Sequence, residues 1–181
     1  MKRLILGLML LAAPALAADD ATLSPSANAA YLSASAAKPG TFTRASGLQY
    51  RVLKPGFGRR PGGNDVVRIS YSIKLVNGTQ VDATQPSLPA AMSMSNVVIA
   101  GLAEALTLMH VGDRWQLVIP ASLGFGINPS ANGAIPGNQT LVMDVTLVST
   151  DTPRPGETPP ENPFSTWSNG REMGTSFTYR P

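Results

Sequence analysis

The stretch Val98-Ile99-Ala100-Gly101-Leu102-Ala103-Glu104-Ala105-Leu106-Thr107-Leu108-Met109 decides the fold of this chain. Its apolar residues recur at steps of three and four, which predicts a helix with one apolar face. That face consists of Val98, Leu102, Ala105, Leu106 and Met109. The first N–H groups of a helix have no partner inside it, so its N-terminal turn would be available to a ligand.

Most of the sequence around this helix alternates between apolar and polar residues, a pattern typical of half-buried strands. The clearest alternation runs over 67–75, with Tyr71 at its centre on the apolar side. Similar segments are 48–52, 115–119 and 141–147. Asn77-Gly78 predicts a tight hairpin turn, because both central residues of a type I′ turn need positive φ. About five antiparallel strands wrapped over one short helix make an α+β domain.

The first residues have the pattern of a signal peptide over 1–17. Lys2 and Arg3 precede an apolar run that ends at Pro14, and Ala15-Leu16-Ala17 forms a cleavage site. The run is far shorter than the roughly 20 residues needed to span a bilayer. We therefore expect a protein that begins near Ala18 and is periplasmic or secreted, with no membrane span after cleavage.

Two segments flank the predicted domain over 46–150. Residues 18–45 are rich in Ala and Ser, and Asn28 to Leu32 would form one or two helical turns. This segment is either a dimerising arm, giving a weak homodimer, or a loose tail, and the tail is favoured. Residues 151–181 carry clustered prolines that predict an extended linker, and we expect this tail to be disordered.

Composition excludes several classes of function. Loss of Lys2 and Arg3 would leave 12 basic and 11 acidic residues, without the basic patch that nucleic-acid binding requires. The absence of Cys excludes disulfides and a thiol nucleophile. His110 is the only histidine, so we expect no metal site. The sequence also lacks the strained-turn motif of a serine hydrolase.

Several short motifs occur in an order that identifies a family. They are Ser46-Gly47-Leu48-Gln49-Tyr50, Asn77-Gly78-Thr79 with Asp82, Val98-Ile99-Ala100-Gly101-Leu102, Ile119-Pro120 and Gly133-Ala134-Ile135-Pro136. The ordered set, over about residues 28–149, resembles FKBP-type peptidyl-prolyl cis-trans isomerases. It is most similar to the exported bacterial branch that includes macrophage infectivity potentiators.

This resemblance implies a curved antiparallel sheet over one short helix and an isomerase that needs no cofactor, metal or covalent nucleophile. Its partners would be proline-containing peptides or unfolded exported proteins. By resemblance, Tyr71 would line the pocket and hydrogen-bond Asp82, and the Ile99 N–H would hold a substrate carbonyl. Val98 would form part of the floor and Ile135 one wall. From the residues alone, Asp82 could instead cap a turn, and Phe125 could be a pocket wall or a loop anchor.

The chain departs from the family where aromatic side chains usually line the pocket. Leu102 replaces the Trp beneath the proline ring, Val81 and Met143 each replace a Phe, Phe125 replaces a Tyr, and Met92 or Met94 replaces a wall aromatic. Leu and Met keep a pocket apolar but adaptable. The resemblance therefore implies weakened catalysis and altered peptide preference.

Three hypotheses follow. The first is a prolyl isomerase that assists the folding of exported proteins. The second is a catalytically weak or inactive chaperone or peptide-binding module with the same pocket. The third is that the proline-rich tail docks into the pocket, with Pro159, Pro160 or Pro163 imitating substrate; disorder of the tail is favoured over this third hypothesis.

Overall fold

The computed structural model describes residues 20–85, 87–130 and 133–165. The described part of the chain forms one antiparallel sheet of seven strands with a helix against it. The strands are β1 (Phe42–Thr43), β2 (Gln49–Lys54), β3 (Val66–Lys74), β4 (Gln80–Ala83), β5 (Ala90–Ser93), β6 (Arg114–Ile119) and β7 (Leu141–Asp151). The predicted α+β class is confirmed, and the strands beyond the expected five are the short β1 and β5.

The sheet has the order β1-β2-β6-β7-β3-β4, and β5 also pairs with β3. Residues 66–69 of β3 pair with β5, and residues 72–74 pair with β4. On its other side β3 pairs with β7 along its whole length. Two successive strands thus share one side of β3, and directly after β4 the Thr84 N–H donates to the Tyr71 carbonyl at 3.0 Å.

The predicted central helix is present as α2 (Ala100–Leu108). Leu102, Ala105 and Leu106 are fully buried, so the predicted apolar face is the one that meets the sheet. At Gly101 a Cβ atom would lie 2.6 Å from the Ile119 side chain. Glycine is therefore needed here because the helix backbone approaches β6 so closely.

A second helix, α1 (Pro25–Ala36), is longer than the one or two turns expected at Asn28 to Leu32. The Ser24 side chain caps it by accepting the Ala27 N–H at 3.2 Å, and Pro25 occupies its first turn. Asn28 is buried, and its Oδ1 accepts the Thr140 N–H at 2.7 Å. The N-terminal segment is therefore packed on the domain, which corrects the favoured expectation of a loose tail.

The structure also differs from the expected disorder of the C-terminal tail, up to Ser165. Residues 154–159 are exposed, but Phe164 is fully buried in the main apolar core. A large aromatic ring provided the burial that proline composition alone did not suggest. The predicted signal peptide and residues 166–181 lie outside the described residues. Within the described part, neither helix is long and apolar enough to cross a bilayer.

Candidate active site

Tyr71 and Asp82 form the polar centre of the candidate site. The Tyr71 hydroxyl donates to Asp82 Oδ2 at 2.6 Å, across the hairpin between β3 and β4. Asp82 Oδ1 also accepts the Ala83 N–H at 2.8 Å. The carboxylate therefore makes both contacts that the sequence left open, one to Tyr71 and one to the local backbone.

Burial and the neighbouring carboxylate affect the ionisation of Tyr71. Its ring is 8% exposed. Desolvation, followed by the hydrogen bond and the negative charge of Asp82, raises the pKa of the Tyr71 hydroxyl far above its ordinary value. The hydroxyl is therefore a permanent hydrogen-bond donor to Asp82 at neutral pH.

Ile99 lies at the point where the loop becomes α2. It is the N-cap residue of the helix, its side chain is fully buried, and its carbonyl accepts the Ala103 N–H at 3.0 Å. Within the described residues, no hydrogen-bond acceptor is found for the Ile99 N–H. A substrate carbonyl placed there would also benefit from the positive end of the helix dipole.

The remaining predicted pocket residues belong to the same apolar cluster. Those fully or almost fully buried are Met92, Met94, Leu102, Ile135 and Met143, and those partly buried are Val81, Val98 and Phe125. Met143 lies opposite Ile73, two residues from Tyr71 on β3. Met92 lies opposite Val67, about 13 Å from Tyr71 along the strand, so it is more remote from the polar centre.

The loop that carries Phe125 and Ile135 is held by its own backbone. The Ser130 hydroxyl accepts the Ile135 N–H at 2.9 Å, and the Ser130 N–H donates to the Ile135 carbonyl at 2.8 Å. The Asn138 N–H donates to the Gly126 carbonyl at 2.8 Å. These bonds connect residues 126–130 with residues 133–138 and hold Ile135 in the core.

Sequence reasoning missed one residue of the site. The Phe164 ring lies against the Tyr71 ring, with centroids 5.1 Å apart and planes inclined by 51°. Asn162 Nδ2 donates to the carbonyl of Asn96, three residues before Ile99. The sequence signal was a large aromatic residue directly after a proline-rich linker, which we had assigned to a disordered tail.

The described residues contain no cluster of three or more His, Asp or Glu side chains suited to a metal ion. His110, which the sequence analysis set aside, lies beyond the far end of α2, where its Nε2 accepts from Arg60 Nε at 3.1 Å. The candidate site residues instead offer a phenol, a carboxylate, a backbone N–H and apolar side chains. Such groups can bind, orient and desolvate a peptide.

The chain is similar to several known proteins. It is 39% identical over 120 residues to "Outer membrane protein MIP" of Legionella longbeachae, covering 66% of this chain and 51% of that protein. It is 42% identical over 118 residues to the FKBP-type 22 kDa peptidyl-prolyl cis-trans isomerase of Escherichia coli strain K12, covering 65% and 57%. The chain thus spans about half the length of the curated relatives it matches.

A crystal structure of a peptidyl-prolyl cis-trans isomerase from Pseudomonas syringae pv. tomato has the same fold. The TM-score is 0.64 at 28% identity, over 70% of this chain and 92% of that one. The sequence profile described as FKBP-type peptidyl-prolyl cis-trans isomerase matches residues 58–148, which is half of the chain and includes β3 to β6 and most of β7. By sequence and by fold, the chain belongs to the FKBP-type peptidyl-prolyl cis-trans isomerase family, and to its bacterial Mip-like branch.

Proposed function

We propose that this protein catalyses cis–trans isomerisation of X–Pro bonds and thereby assists the folding of exported proteins. The observation that carries the proposal is the Tyr71–Asp82 hydrogen bond, within an apolar cluster beside the first turn of α2. Membership of the family supports it. The signal-peptide pattern of residues 1–17, with a relative named an outer membrane protein, supports export to the periplasm or beyond.

The reaction needs no covalent intermediate. An X–Pro bond isomerises over tens to hundreds of seconds because amide resonance must be lost on the way. The planar amide is more polar than the twisted amide. A site that excludes water therefore disfavours the ground state relative to the transition state, and a shape that fits the twisted amide adds to this effect.

Each residue of the site has a role in this proposal. The Ile99 N–H donates to a substrate carbonyl, and the Tyr71 ring forms a wall of the pocket. Asp82 fixes the orientation of Tyr71 through the 2.6 Å hydrogen bond. Leu102 and Met143, both fully buried, supply an aliphatic floor in place of aromatic rings. Because aliphatic chains define a pocket less sharply than rings, the proposed rate is lower than a fully aromatic pocket would give.

The test is the relaxation of a proline-containing peptide from cis to trans with and without purified protein. We expect Asp82→Ala to lower kcat/KM by roughly three- to tenfold, the effect of one hydrogen bond. Asp151→Ala is the matched control, because that carboxylate is an exposed partner of Arg68 at the end of β7. Since Phe164 covers Tyr71, a chain ending at Arg154 is assayed in parallel. Buffer rates from both chains would refute the proposal.

A second function, a peptide-binding chaperone with little catalysis, is favoured by the aliphatic floor at Leu102 and Met143. An apolar surface holds unfolded chains without needing a precise fit to a twisted amide. In that case suppression of client aggregation should persist in the Asp82→Ala variant. Parallel loss of aggregation suppression and isomerase activity would count against a separate chaperone function.

A further inference from the structure

The side chain of Phe164 covers Tyr71, the residue proposed above as a wall of the substrate pocket. Its ring is fully buried and packs on Tyr71 at a centroid distance of 5.1 Å. The next residue, Ser165, is exposed, and Pro163 is only partly buried. One ring therefore enters the apolar cluster while the chain on either side of it stays near the surface.

A compact turn presents this ring. The Ser165 N–H donates to the Asn162 carbonyl at 3.0 Å, which closes a β-turn over residues 162–165. The Phe164 N–H donates to Asn162 Oδ1 at 2.8 Å. Asn at the first position and Pro at the second are favoured in such turns, because the side-chain acceptor and the fixed φ match the bend. The turn is therefore largely formed before it docks.

The turn is attached to the segment that leads into α2. Asn162 is buried, and its Nδ2 donates to the Asn96 carbonyl. Asn96 ends a short 3-10 turn, Met94–Asn96, and the chain reaches Ile99 three residues later. The turn is therefore attached to the segment that precedes the Ile99 N–H, while its Phe164 ring covers Tyr71.

The route of the tail to the site is short and loosely packed. Asp65 anchors the tail just after β7, because the Thr152 hydroxyl donates to Asp65 Oδ1 at 2.9 Å. The backbone then reverses at Arg154, whose carbonyl accepts the Glu157 N–H at 3.0 Å. Residues 154–159 are exposed, so this segment can leave the surface without breaking any strand of the sheet.

We propose that Asn162–Ser165 is an intramolecular ligand of the isomerase site, which a substrate peptide must displace. This inference rests on the proposed function of the same site. The segment inhibits and is not turned over, because the buried group is the Phe164 ring while Pro163 remains partly exposed. The same contact indicates that the pocket accepts an aromatic side chain, so competing ligands are apolar peptides with an aromatic residue in a turn.

The first experiment compares Phe164→Ala with Phe57→Ala in the full chain. Phe57 is 93% exposed on the loop after β2, so it controls for the substitution itself. We expect kcat/KM for a proline peptide to rise on the order of tenfold in Phe164→Ala, mainly through KM, and to be unchanged in Phe57→Ala. An unchanged or lower kcat/KM in Phe164→Ala would overturn the proposal, since Phe164 would then be a fixed wall of the site.

The second experiment measures docking without using catalysis. A synthetic peptide of residues 155–165 is titrated into the Phe164→Ala protein, whose folding is checked by its thermal transition, and the Tyr71 ring resonances are followed by NMR. Saturable shifts, absent with a peptide in which Phe164 is Ala, support the proposal. No shift overturns it. Docking without any isomerase activity in Phe164→Ala would refute the proposed function but keep the tail as a ligand.

Discussion

The two extensions of the domain are attached in different ways. The N-terminal helix α1 is held on the domain by two buried hydrogen bonds: Asn28 Nδ2 donates to Gln139 Oε1 at 3.1 Å, and Asn28 Oδ1 accepts the Thr140 N–H at 2.7 Å. Gln139 Nε2 also donates to the Leu23 carbonyl, just before the helix, at 3.0 Å. The C-terminal tail is held by one aromatic ring, a local turn and a part-buried hydrogen bond, from Asn162 Nδ2 to the Asn96 carbonyl. Breaking a buried hydrogen bond leaves its partner unsatisfied, whereas withdrawing the tail exposes apolar surface and the carbonyl of Asn96, an exposed residue that water can reach.

This difference determines which extension can be released. Undocking α1 would expose the polar groups of residues 137–140 to solvent or leave them without hydrogen-bond partners. These residues come directly before β7, the strand between β6 and β3. Undocking the tail leaves the sheet and its hydrogen bonds intact. The helix is therefore a fixed part of the fold, and the tail is the attachment suited to exchange with a ligand.

The largest expected effect comes from Asn28→Ala. The variant leaves the Thr140 N–H and Gln139 without their buried partner, at a cost of about 3 kcal/mol in the free energy of unfolding. Urea denaturation measures this cost. We expect Phe164→Ala to cost less than Asn28→Ala, because only the tail undocks.

The control for that comparison is Asn64→Ala, which removes an exposed Asn from the loop before β3. Its expected effect lies within about 0.5 kcal/mol of zero. If Phe164→Ala proved more costly than Asn28→Ala, the ring would be ordinary core, for which Phe→Ala typically costs about 3–5 kcal/mol. The distinction between a fixed helix and a releasable tail would then fail.

The domain itself was predictable because its information is local. Alternation over 67–75, the Asn77-Gly78 turn and the helical spacing over 98–109 each specify an element within one short window. The docking of α1 was not predictable in this way. Its buried residues are Asn28 and Ser35, so the helix has no apolar stripe and is held by hydrogen bonds to residues more than a hundred positions away.

The same distinction between local and long-range contacts applies to the candidate site. The Tyr71–Asp82 bond joins two strands of one hairpin, and the resemblance to the family predicts it. The position of Phe164 depends on a contact between residues 93 positions apart, across a segment whose composition indicates no structure. Proline content predicted the extended linker but not the residue at its end that packs into the site.

A smaller effect on stability is expected at Asp65, which anchors the start of the tail through Thr152. Hydrogen bonds from the Gly62 N–H, Thr152 and Arg59 hold the pKa of its carboxyl at about 2, against an ordinary 3.8, in spite of its burial. A lowered pKa gives stability that is present above pH 4 and is lost as the pH falls toward 2. We expect the free energy of unfolding, measured by urea denaturation, to fall by on the order of 1–2 kcal/mol over this pH window.

Asp65→Asn should flatten that acid dependence, because the titrating group is gone. Asp151→Asn is the control, since its ion pair with Arg68 is exposed and such pairs contribute little. Thr152, the first residue of the tail, binds this carboxylate, so Asp65→Asn should also make the bond after the exposed Glu157 more susceptible to a glutamate-specific protease at neutral pH. Equal cleavage in both variants would show that the hydrogen bond between Thr152 and Asp65 does not hold the tail.

The smallest effect concerns the surface on which the ring rests. Tyr71→Phe keeps the ring against Phe164 but removes the hydrogen bond to Asp82, so we expect a loss of about 0.5–1.5 kcal/mol at pH 7. The raised pKa of the Tyr71 hydroxyl gives stability that is complete below pH 10 and declines above it. The wild-type and Tyr71→Phe curves of unfolding free energy against pH should therefore converge between pH 10 and 11.

Because the ring remains, the peptide of residues 155–165 should bind a Tyr71→Phe, Phe164→Ala protein almost as well as Phe164→Ala alone. A loss of peptide binding in that double variant would mean that the hydroxyl, and not the ring, holds the tail.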